Sequence, residues 1–352
     1  MNVHIVVMAG GSGTRFWPVS RNHQPKQLLR FGNKKSLLAQ TFDRVRSLAK
    51  PKQWWMVVGE SHAKACAAAV PTLPSAHVLV EPQAKNTAAA IAYAALAVRR
   101  SDPDAIMVVL PADHFVRNGA ALCAALKKAV RLAREDRIVT LGIEPTYPET
   151  GYGYIERGKA TRGAPGTFAV KRFIEKPTKE RAIELVTKGG FDWNAGMFVM
   201  KPSVVEAEIE RSLPDLHVAM RRIEAGNLTP KVVKREYATM RSVSIDHGVM
   251  EKAKDLAVVP VSCGWSDIGS WNATGSVIDP DGAGNVTRGQ AILVDTTNSV
   301  VYAEDGVAGV VGVDGLVVVR TKDATLVVPS NRAQDVRAIV EQLKERGWDE
   351  YL

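Results

Sequence analysis

Cysteines and long apolar runs are scarce in this sequence. Its 352 residues include only Cys66, Cys123 and Cys263, with no C-x-x-C spacing among them. An odd, sparse set indicates reduced thiols rather than a disulfide framework. No apolar run approaches the ~20 residues that a membrane span requires, and the N-terminus lacks the features of a secretory signal. These absences predict a cytoplasmic protein with no membrane partner.

Blocks of like charge are also missing. Lys and Arg total 46 against 37 acidic residues, which gives a formal net charge of +9. The basic residues are spread along the chain, with no block of five or six and no interleaved aromatic pattern. We therefore expect no nucleic-acid partner and favour small phosphorylated substrates. Salt-sensitive binding to arbitrary oligonucleotides would instead support a nucleic-acid-binding protein.

Apolar runs of strand length alternate with helical patterns in the first 141 residues. This alternation predicts an α/β fold whose parallel sheet is covered on both faces. The predicted strands cover residues 3–8, 54–58, 77–80, 105–110 and 138–141. The predicted helices cover residues 36–48, 87–100 and 120–134, and another begins at Ser61.

A glycine-rich loop follows the first predicted strand. It reads Ala9-Gly10-Gly11-Ser12-Gly13-Thr14-Arg15, too rich in glycine for a helix or a strand. Its backbone amides can form an anion cradle, to which Arg15 and Lys26 add charge suited to phosphate. A flexible turn with exposed basic residues is the alternative. The usual phosphate fingerprints do not fit, because the G-x-G-x-x-G that starts at Gly11 ends in Phe16 and no P-loop motif covers the loop.

The whole string around this loop is more specific than the loop itself. It reads A-G-G-x-G-T-R-x-W-P, followed by S-R and P-K-Q, and it resembles the signature of the sugar-1-phosphate nucleotidylyltransferases. Phe16-Trp17-Pro18 and Pro25-Lys26-Gln27 resemble the branch of that family that forms GDP-mannose. The resemblance implies an enzyme that uses GTP and mannose 1-phosphate, with Mg²⁺ as cofactor, and releases pyrophosphate. A sugar phosphate is already largely ionised at neutral pH, so the absence of a His/Asp, Cys/His or H-E-x-x-H arrangement is consistent with this reaction.

The resemblance also assigns residues to the nucleotide and the metal. It implies catalytic roles for Arg15, Lys26 and Lys176, metal ligation by Asp113 and Asp267, and nucleotide binding by Gly10, Gly11, Gly13, Thr14, Gln83 and Asn86. Magnesium prefers oxygen ligands and commonly takes one or two protein carboxylates plus substrate phosphates. Taken alone, Asn86, Asp113 and Asp267 could each be a helix cap or a turn residue.

Four positions in the second half of the chain match the sugar-binding motifs of the same family. They are Gly151, Glu175, Lys176 and Asn194, and the resemblance implies that they bind the sugar phosphate. Asp246 matches a further motif and is a candidate for supporting the site. An ordinary strand bulge and a capped helix remain the alternatives for these segments.

The clearest linker signal is the stretch Asp279 to Gly284, which reads DPDGAG. It predicts a catalytic domain at 1–280 and a C-terminal domain at 285–352. The first would be a Rossmann-like nucleotidyltransferase domain with a mixed, mostly parallel sheet. The second is rich in valine, with glycines at a spacing of three that predict many short strands and tight turns, then a helix at 333–346. It resembles the family's short left-handed β-helix.

Besides nucleic-acid binding, two functional alternatives remain from the sequence. The resemblance favours guanine and mannose, but the same fold could use another base or another sugar 1-phosphate. A non-catalytic regulatory homologue is a second alternative, although the expected phosphate and metal residues are all present.

The C-terminal domain shows no catalytic constellation, so we expect packing or oligomer contact there and, with it, a homodimer.

Overall fold

The computed structural model describes residues 2–11, 13–31 and 33–352. Its strands are β1 Val3–Met8, β2 Trp54–Gly59, β3 Val78–Glu81, β4 Ile106–Pro111, β5 Phe115–Val116, β6 Ile138–Ile143, β7 Tyr154–Ala160, β8 Phe168–Ile174, β9 Phe191–Met200, β10 Leu256–Pro260, β11 Trp265–Ser266, β12 Val286–Val294, β13 Val300–Val311, β14 Leu316–Arg320 and β15 Thr325–Pro329. Its α-helices are α1 Leu37–Val45, α2 Ala63–Ala69, α3 Asn86–Ser101, α4 Gly119–Ala133, α5 Lys179–Lys188, α6 Pro202–Ser212, α7 Pro214–Ala225, α8 Pro230–Thr239 and α9 Val336–Glu345.

A nine-stranded sheet forms the centre of the larger unit. Its strand order is β3-β2-β1-β4-β9-β6-β10-β8-β7. The pairings make seven strands point the same way, and β8 and β9 run against them. The predicted mixed, mostly parallel sheet is therefore confirmed. The parallel strands β1, β2 and β4 are almost entirely apolar along their length because helices cover both faces of the sheet.

The strand β9 is the main feature that the sequence pattern did not predict. It lies between β4 and β6 and pairs antiparallel with both. This strand carries Asn194, so its insertion brings a residue from the second half of the chain to the middle of the sheet. Two predicted helix bounds were also too wide: the first helix ends at Val45 rather than Leu48, and the last begins at Val336 after a 3-10 segment, Ser330–Asp335.

The C-terminal unit is a four-stranded sheet followed by α9. Its order is β12-β13-β14-β15, with parallel pairs except the last. The expectation of many short strands was partly wrong. Gly306 and Gly309 lie inside the twelve-residue strand β13, whereas Gly312 and Gly315 lie between strands. Residues 279–284 contain no helix or strand.

The C-terminal unit packs on the segment that follows the glycine-rich loop. The aromatic rings of Phe16, Trp271 and Tyr302 form one chain of contacts, with ring centroids 5.1 and 5.5 Å apart. The Trp17 indole donates to the carbonyl of Tyr351 at 2.8 Å. These contacts fix the loop segment against the C-terminal unit.

Among the described residues, no helix is both long enough and apolar enough to cross a bilayer.

Candidate active site

Two clefts meet at the carboxyl ends of the parallel strands. The main cleft, with a volume of about 600 Å³, includes Gly10, Glu81 and Asn194 in its lining. The cationic cleft, with about 640 Å³, includes Arg15, Lys176 and Arg337. Gly151, Tyr152 and Asp267 line both, so the two clefts form one continuous site. This edge is where open α/β sheets bind ligands.

The glycine-rich loop enters the main cleft with its first glycines. Gly10 and Gly11 line that cleft, whereas Gly13 and Thr14 line neither cleft. Gly13 has φ +65°, and its carbonyl accepts a hydrogen bond from the Ser20 hydroxyl at 2.7 Å. Ser12 lies outside the described residues. The loop therefore presents backbone at the end of β1, as the sequence predicts.

Lys26 is buried between the two predicted metal ligands. Its ammonium nitrogen donates to Asp113 Oδ2 at 2.7 Å and to the carbonyl oxygen of Asp267 at 2.5 Å. Burial is the largest single influence and would raise the pKa of the Asp113 carboxyl, but the charges of Lys26 and His114 and the hydrogen bonds from Lys26 and the backbone together lower that pKa. Lys26 lines neither cleft. It joins the loop segment to both aspartates from beneath the site.

Asp113 and Asp267 present a donor set that suits a hard cation. Asp113 Oδ2 is held by Lys26, and Asp267 Oδ1 accepts from the Tyr152 hydroxyl at 2.7 Å. Within the described residues, Asp113 Oδ1 and Asp267 Oδ2 have no side-chain hydrogen-bond donor. The same part of the chain contains no cluster of three or more His, Cys, Asp or Glu side chains placed to hold a metal. The pair fits a magnesium ion that completes its coordination with water and substrate phosphate.

His114 is held as a structural residue next to Asp113. Its Nδ1 accepts a hydrogen bond from the Trp265 indole at 3.1 Å, and the two rings pack edge to face. Burial lowers the pKa of the imidazole, so the neutral ring with an accepting Nδ1 is favoured.

One end of the main cleft holds a buried carboxylate that the sequence analysis did not single out. Glu81, the last residue of β3, is 8% exposed and lines the cleft. Its Oε1 has no hydrogen-bond partner within the described residues. Burial raises the pKa of Glu81 to about 7, and the nearby Tyr237 hydroxyl offsets only part of that rise. A buried acceptor without a partner is costly unless a ligand supplies the donor.

The two predicted base contacts lie beside Glu81 in different environments. Asn86 lines the main cleft, has φ +65°, and accepts a hydrogen bond from the Thr87 amide at 2.8 Å. Gln83 is exposed and lines neither cleft, so its role stays a prediction.

The other end of the main cleft holds a hydrogen-bonded pair, Asn194 and Asp246. Asn194 Nδ2 donates to Asp246 Oδ1 at 2.7 Å, while Asn194 Oδ1 accepts from the Gly196 amide at 3.1 Å. Burial and the neighbouring Glu175 raise the pKa of Asp246, and the Asn194 bond counteracts them in part. The candidate sugar ligand Asn194 is therefore oriented by Asp246, which begins the π-helical turn Asp246–Met250.

Glu175 and Lys176 connect this end to the cationic cleft. Lys176 Nζ donates to Glu175 Oε1 at 2.7 Å, yet the lysine side chain is 65% exposed and Glu175 only 16%. Glu175 lines the main cleft, and Lys176 lines the cationic cleft. A Cβ at Gly153 would lie 2.5 Å from Glu175 Oε2, so glycine there makes room for this carboxylate.

The cationic cleft includes a residue from the C-terminal unit. Arg15 donates to Gln334 Oε1 at 3.1 Å. Its pKa is lowered by burial and then by the positive charge of Arg337 on α9. Within the described residues, Arg337 makes no ion pair or side-chain hydrogen bond. Two guanidiniums side by side favour an anion between them. No local pattern in the sequence points to Arg337, because only the packing of α9 brings it here.

Three of the eight described non-glycine residues in a left-handed backbone conformation lie at or beside these clefts. Asn86, Lys176 and Ile268 have φ of +65°, +44° and +43°. Such conformations cost roughly 1–3 kcal/mol each in residues other than glycine, and they concentrate at functional sites. Ile268 is fully buried and directly follows Asp267, so packing holds the strained turn that carries this aspartate.

Comparison with known proteins identifies the family. The profile described as "Nucleotidyl transferase" matches residues 4–279, and the profile described as "MannoseP isomerase/GMP-like beta-helix domain" matches residues 289–343. Mannose-1-phosphate guanylyltransferase of Escherichia coli (strain K12) is 39% identical over 356 residues, which cover 98% of this chain and 74% of the relative. Xanthan biosynthesis protein XanB of Xanthomonas campestris pv. campestris (strain B100) is 39% identical with the same coverage.

A solved structure agrees with these relatives. The crystal structure from Thermus thermophilus described as a mannose-1-phosphate geranyltransferase superposes with a TM-score of 0.90 at 36% identity. The match covers 98% of this chain and all of that one. The resemblance drawn from the sequence motifs and the two-part fold are both confirmed. The chain belongs to the nucleotidyl transferase family and is, within it, a sugar-1-phosphate nucleotidylyltransferase related to the mannose-1-phosphate guanylyltransferases.

Proposed function

We propose that the protein transfers a guanylyl group from GTP to α-D-mannose 1-phosphate, giving GDP-mannose and pyrophosphate in a magnesium-dependent reaction. The observation that carries the proposal is the continuity of the two clefts at Gly151, Tyr152 and Asp267. The main cleft, which holds the residues proposed to bind the base and the sugar, and the cationic cleft thus adjoin one carboxylate, Asp267. The names of the relatives support the choice of sugar and nucleotide.

The base end supports guanine. Guanine carries two adjacent donors, N1–H and the N2 amino group, and a carboxylate can accept from both. Glu81 supplies such a carboxylate in a buried position, with Oε1 lacking a partner in the described part of the chain. We assign Glu81 to this contact, with Asn86 beside it and Gln83 at the exposed rim. Gly10, Gly11, Gly13 and Thr14 bind the nucleotide phosphates or shape the loop that does.

The sugar end supports a hydroxyl-rich ring. Asn194 and Glu175 line the main cleft, and we assign them to the sugar hydroxyls, with Gly151 contacting the sugar phosphate by its backbone. Lys176 meets the sugar phosphate from the cationic cleft. Asp246 holds the Asn194 amide in place.

The reaction follows from this placement. An oxygen of the sugar phosphate forms a bond to the α-phosphorus of GTP. The bond from that phosphorus to the bridging oxygen breaks, and pyrophosphate leaves. No general base is required, because the attacking phosphate has a second pKa of about 6 and is already ionised. The barrier comes from bringing two anions together and from charge on the leaving group.

Cationic side chains of the site lower this barrier. Arg15 and Arg337 neutralise the leaving pyrophosphate, and Lys176 neutralises the attacking phosphate. Lys26 holds the Asp113 carboxylate and the Asp267 backbone in position relative to each other. When bound, magnesium would be held by Asp113 and Asp267 and would supply further charge neutralisation at the phosphates.

An apolar surface on the C-terminal sheet supports a homodimer. The register of β12 and β13 places Ile292, Val294, Val307 and Val311 on one face, and they are 46–66% exposed. Exposed apolar patches of this kind commonly mark interfaces, and most oligomers are symmetric. Sedimentation of Val311→Asp and Ile292→Asp would test this: both should shift the protein toward monomer, and an unchanged dimer would place the interface elsewhere.

Two further assignments belong to this proposal. The catalytic domain spans 1–280 and the C-terminal domain 285–352, supported by the irregular segment 279–284. The protein is cytoplasmic, supported by its three free, buried cysteines.

The test measures pyrophosphate release in the presence of magnesium. It pairs each of the four nucleoside triphosphates with mannose 1-phosphate and with glucose 1-phosphate. Release confined to GTP with mannose 1-phosphate is expected. Activity with another pair would keep the mechanism and overturn the specificity. No release from folded protein in any combination would favour a non-catalytic regulatory homologue.

A further inference from the structure

A third cleft lies between the two units, away from the catalytic clefts. We call it the interdomain cleft; its volume is about 980 Å³. One wall is formed by residues within 28–31 and 34–46 together with α2, and the other by Arg288, Tyr302 and Glu304 of the C-terminal sheet. It shares no lining residue with the main or the cationic cleft. Its volume is at the upper end of the range typical of small-molecule sites.

Basic side chains dominate its lining. Five cationic groups, Arg30, Lys34, Lys35, Arg46 and Arg288, face only two carboxylates, Asp43 and Glu304. Asp43 is already paired with Lys35 and lies 3.8 Å from Arg46. In residues 2–11, 13–31 and 33–352, the side chains of Arg30 and Lys34 make no hydrogen bond or ion pair. The cleft therefore carries an excess of positive charge that nothing in the described chain neutralises.

The wall contributed by the C-terminal unit is fixed in place. The Arg288 guanidinium lies over the Tyr302 ring, 5.2 Å from its centroid, and donates to the carbonyl of Arg30. Cation–π contact and hydrogen bonding hold this arginine against the opposite wall. Buried aromatic side chains, Phe42 and Trp54, are also part of the lining. The cleft thus combines a positioned cation and long lysine side chains with an apolar base.

We propose that the interdomain cleft binds a small molecule carrying two phosphate groups, separately from the substrates. Two phosphates supply about three to four negative charges at neutral pH, which matches the excess of cations over carboxylates in the lining, five against two. A single carboxylate ligand would leave most of that charge uncompensated. The apolar base accepts the uncharged part of such a molecule.

The interdomain cleft adjoins the segment of chain that positions Asp113 and Asp267. Leu28, Leu29 and Arg30 line it, and they come shortly after Lys26, which holds Asp113 and Asp267. A ligand in the interdomain cleft therefore contacts the same short segment that positions the two aspartates.

Calorimetric titration with inorganic pyrophosphate in magnesium-free buffer tests the proposal. We expect two binding events in the wild type. Lys34→Glu and Arg30→Glu should each weaken one of them by roughly tenfold or more. Arg337→Ala, which removes a cation assigned to the leaving pyrophosphate, should weaken only the other. Lys127→Glu is the matched control, since this exposed lysine on α4 lines none of the three clefts.

Either of two results would overturn the proposal: a single binding event that only Arg337→Ala disturbs, or two events that both charge reversals leave unchanged. Circular dichroism establishes that each variant is folded, and Lys34→Gln repeats the test with charge removal alone if a reversal disrupts folding. The titration does not depend on turnover, so failure of the proposed GTP reaction would leave its outcome readable.

Discussion

Gly13 offers the sharpest test of how the glycine-rich loop supports the site. An added Cβ at this position would lie 2.4 Å from Lys26 Cβ and 3.0 Å from the Lys26 backbone nitrogen. Neither atom can move without shifting the backbone of the lysine that holds Asp113 and Asp267. The φ of +65° adds the cost of a left-handed conformation. Strain of about 1–2 kcal/mol and overpacking of about 1–3 kcal/mol predict that Gly13→Ala destabilises the fold by roughly 2–5 kcal/mol.

The neighbouring Gly10 provides the control. A Cβ at Gly10 would meet no atom within 4 Å, and its φ is not in the left-handed region. Gly10→Ala should therefore unfold at nearly the same denaturant concentration as the wild type. Gly13→Ala should unfold earlier, and its kcat should also fall because Lys26 can no longer reach both partners.

Equilibrium unfolding in urea and steady-state kinetics on the two variants measure these effects. Equal unfolding midpoints for Gly13→Ala and Gly10→Ala would refute the packing argument. A destabilised Gly13→Ala with wild-type kcat would show that the contact of Lys26 with the aspartates is not required for turnover.

Four further predictions concern side chains of the two catalytic clefts. Asp113→Ala and Asp267→Ala should each nearly abolish turnover while circular dichroism shows a folded protein; an active, folded variant removes that residue from the metal site. Lys176→Ala should raise the KM for the sugar phosphate far more than the KM for GTP, and equal effects would contradict its assignment. Because the pKa of Glu81 is about 7 and guanine donors favour the ionised form, the KM for GTP should fall as pH rises through that value. Glu81→Gln should lose that dependence and about 1.5–3 kcal/mol in kcat/KM; an identical pH profile in the variant would rule out the contact. Arg337→Ala should lower the rate of pyrophosphate formation at saturating substrates, and unchanged kinetics would leave Arg337 as a packing residue.

The parallel part of the sheet is predictable from the sequence because local pattern decides it. The run from Val3 to Met8 is apolar and ends at the glycine-rich loop, and β1 has the same bounds. The strand β9 escaped prediction because Asp192, Asn194 and Gly196 interrupt its apolar pattern, and its pairing with β4 and β6 is set by distant residues. Helix ends differed by a few residues, as is usual where a 3-10 turn adjoins a helix.

The motif residues of the site could be proposed from sequence because they stand at fixed spacing in short segments. The functional value of Glu81 could not, since its burial depends on α8 and on Tyr237. The role of Arg337 was even harder to predict from sequence. The helix α9 lies at the cationic cleft because the C-terminal sheet packs on Phe16 and Trp271. Long-range packing decides both positions, and local periodicity carries no information about it.

The same packing argues against separate roles for the two units. Arg15 belongs to the signature loop of the nucleotidyl transferase domain, yet its guanidinium donates to Gln334 of the C-terminal unit and feels the positive charge of Arg337. Asn272, which follows the buried Trp271, donates to the carbonyl of Ser330. Two lining residues of the cationic cleft, Arg15 and Asn272, are thus held by the C-terminal unit. Because phosphoryl chemistry depends on prepositioned charge, the proposed reaction gives the C-terminal unit a role in fixing these cations, in addition to any role in assembly.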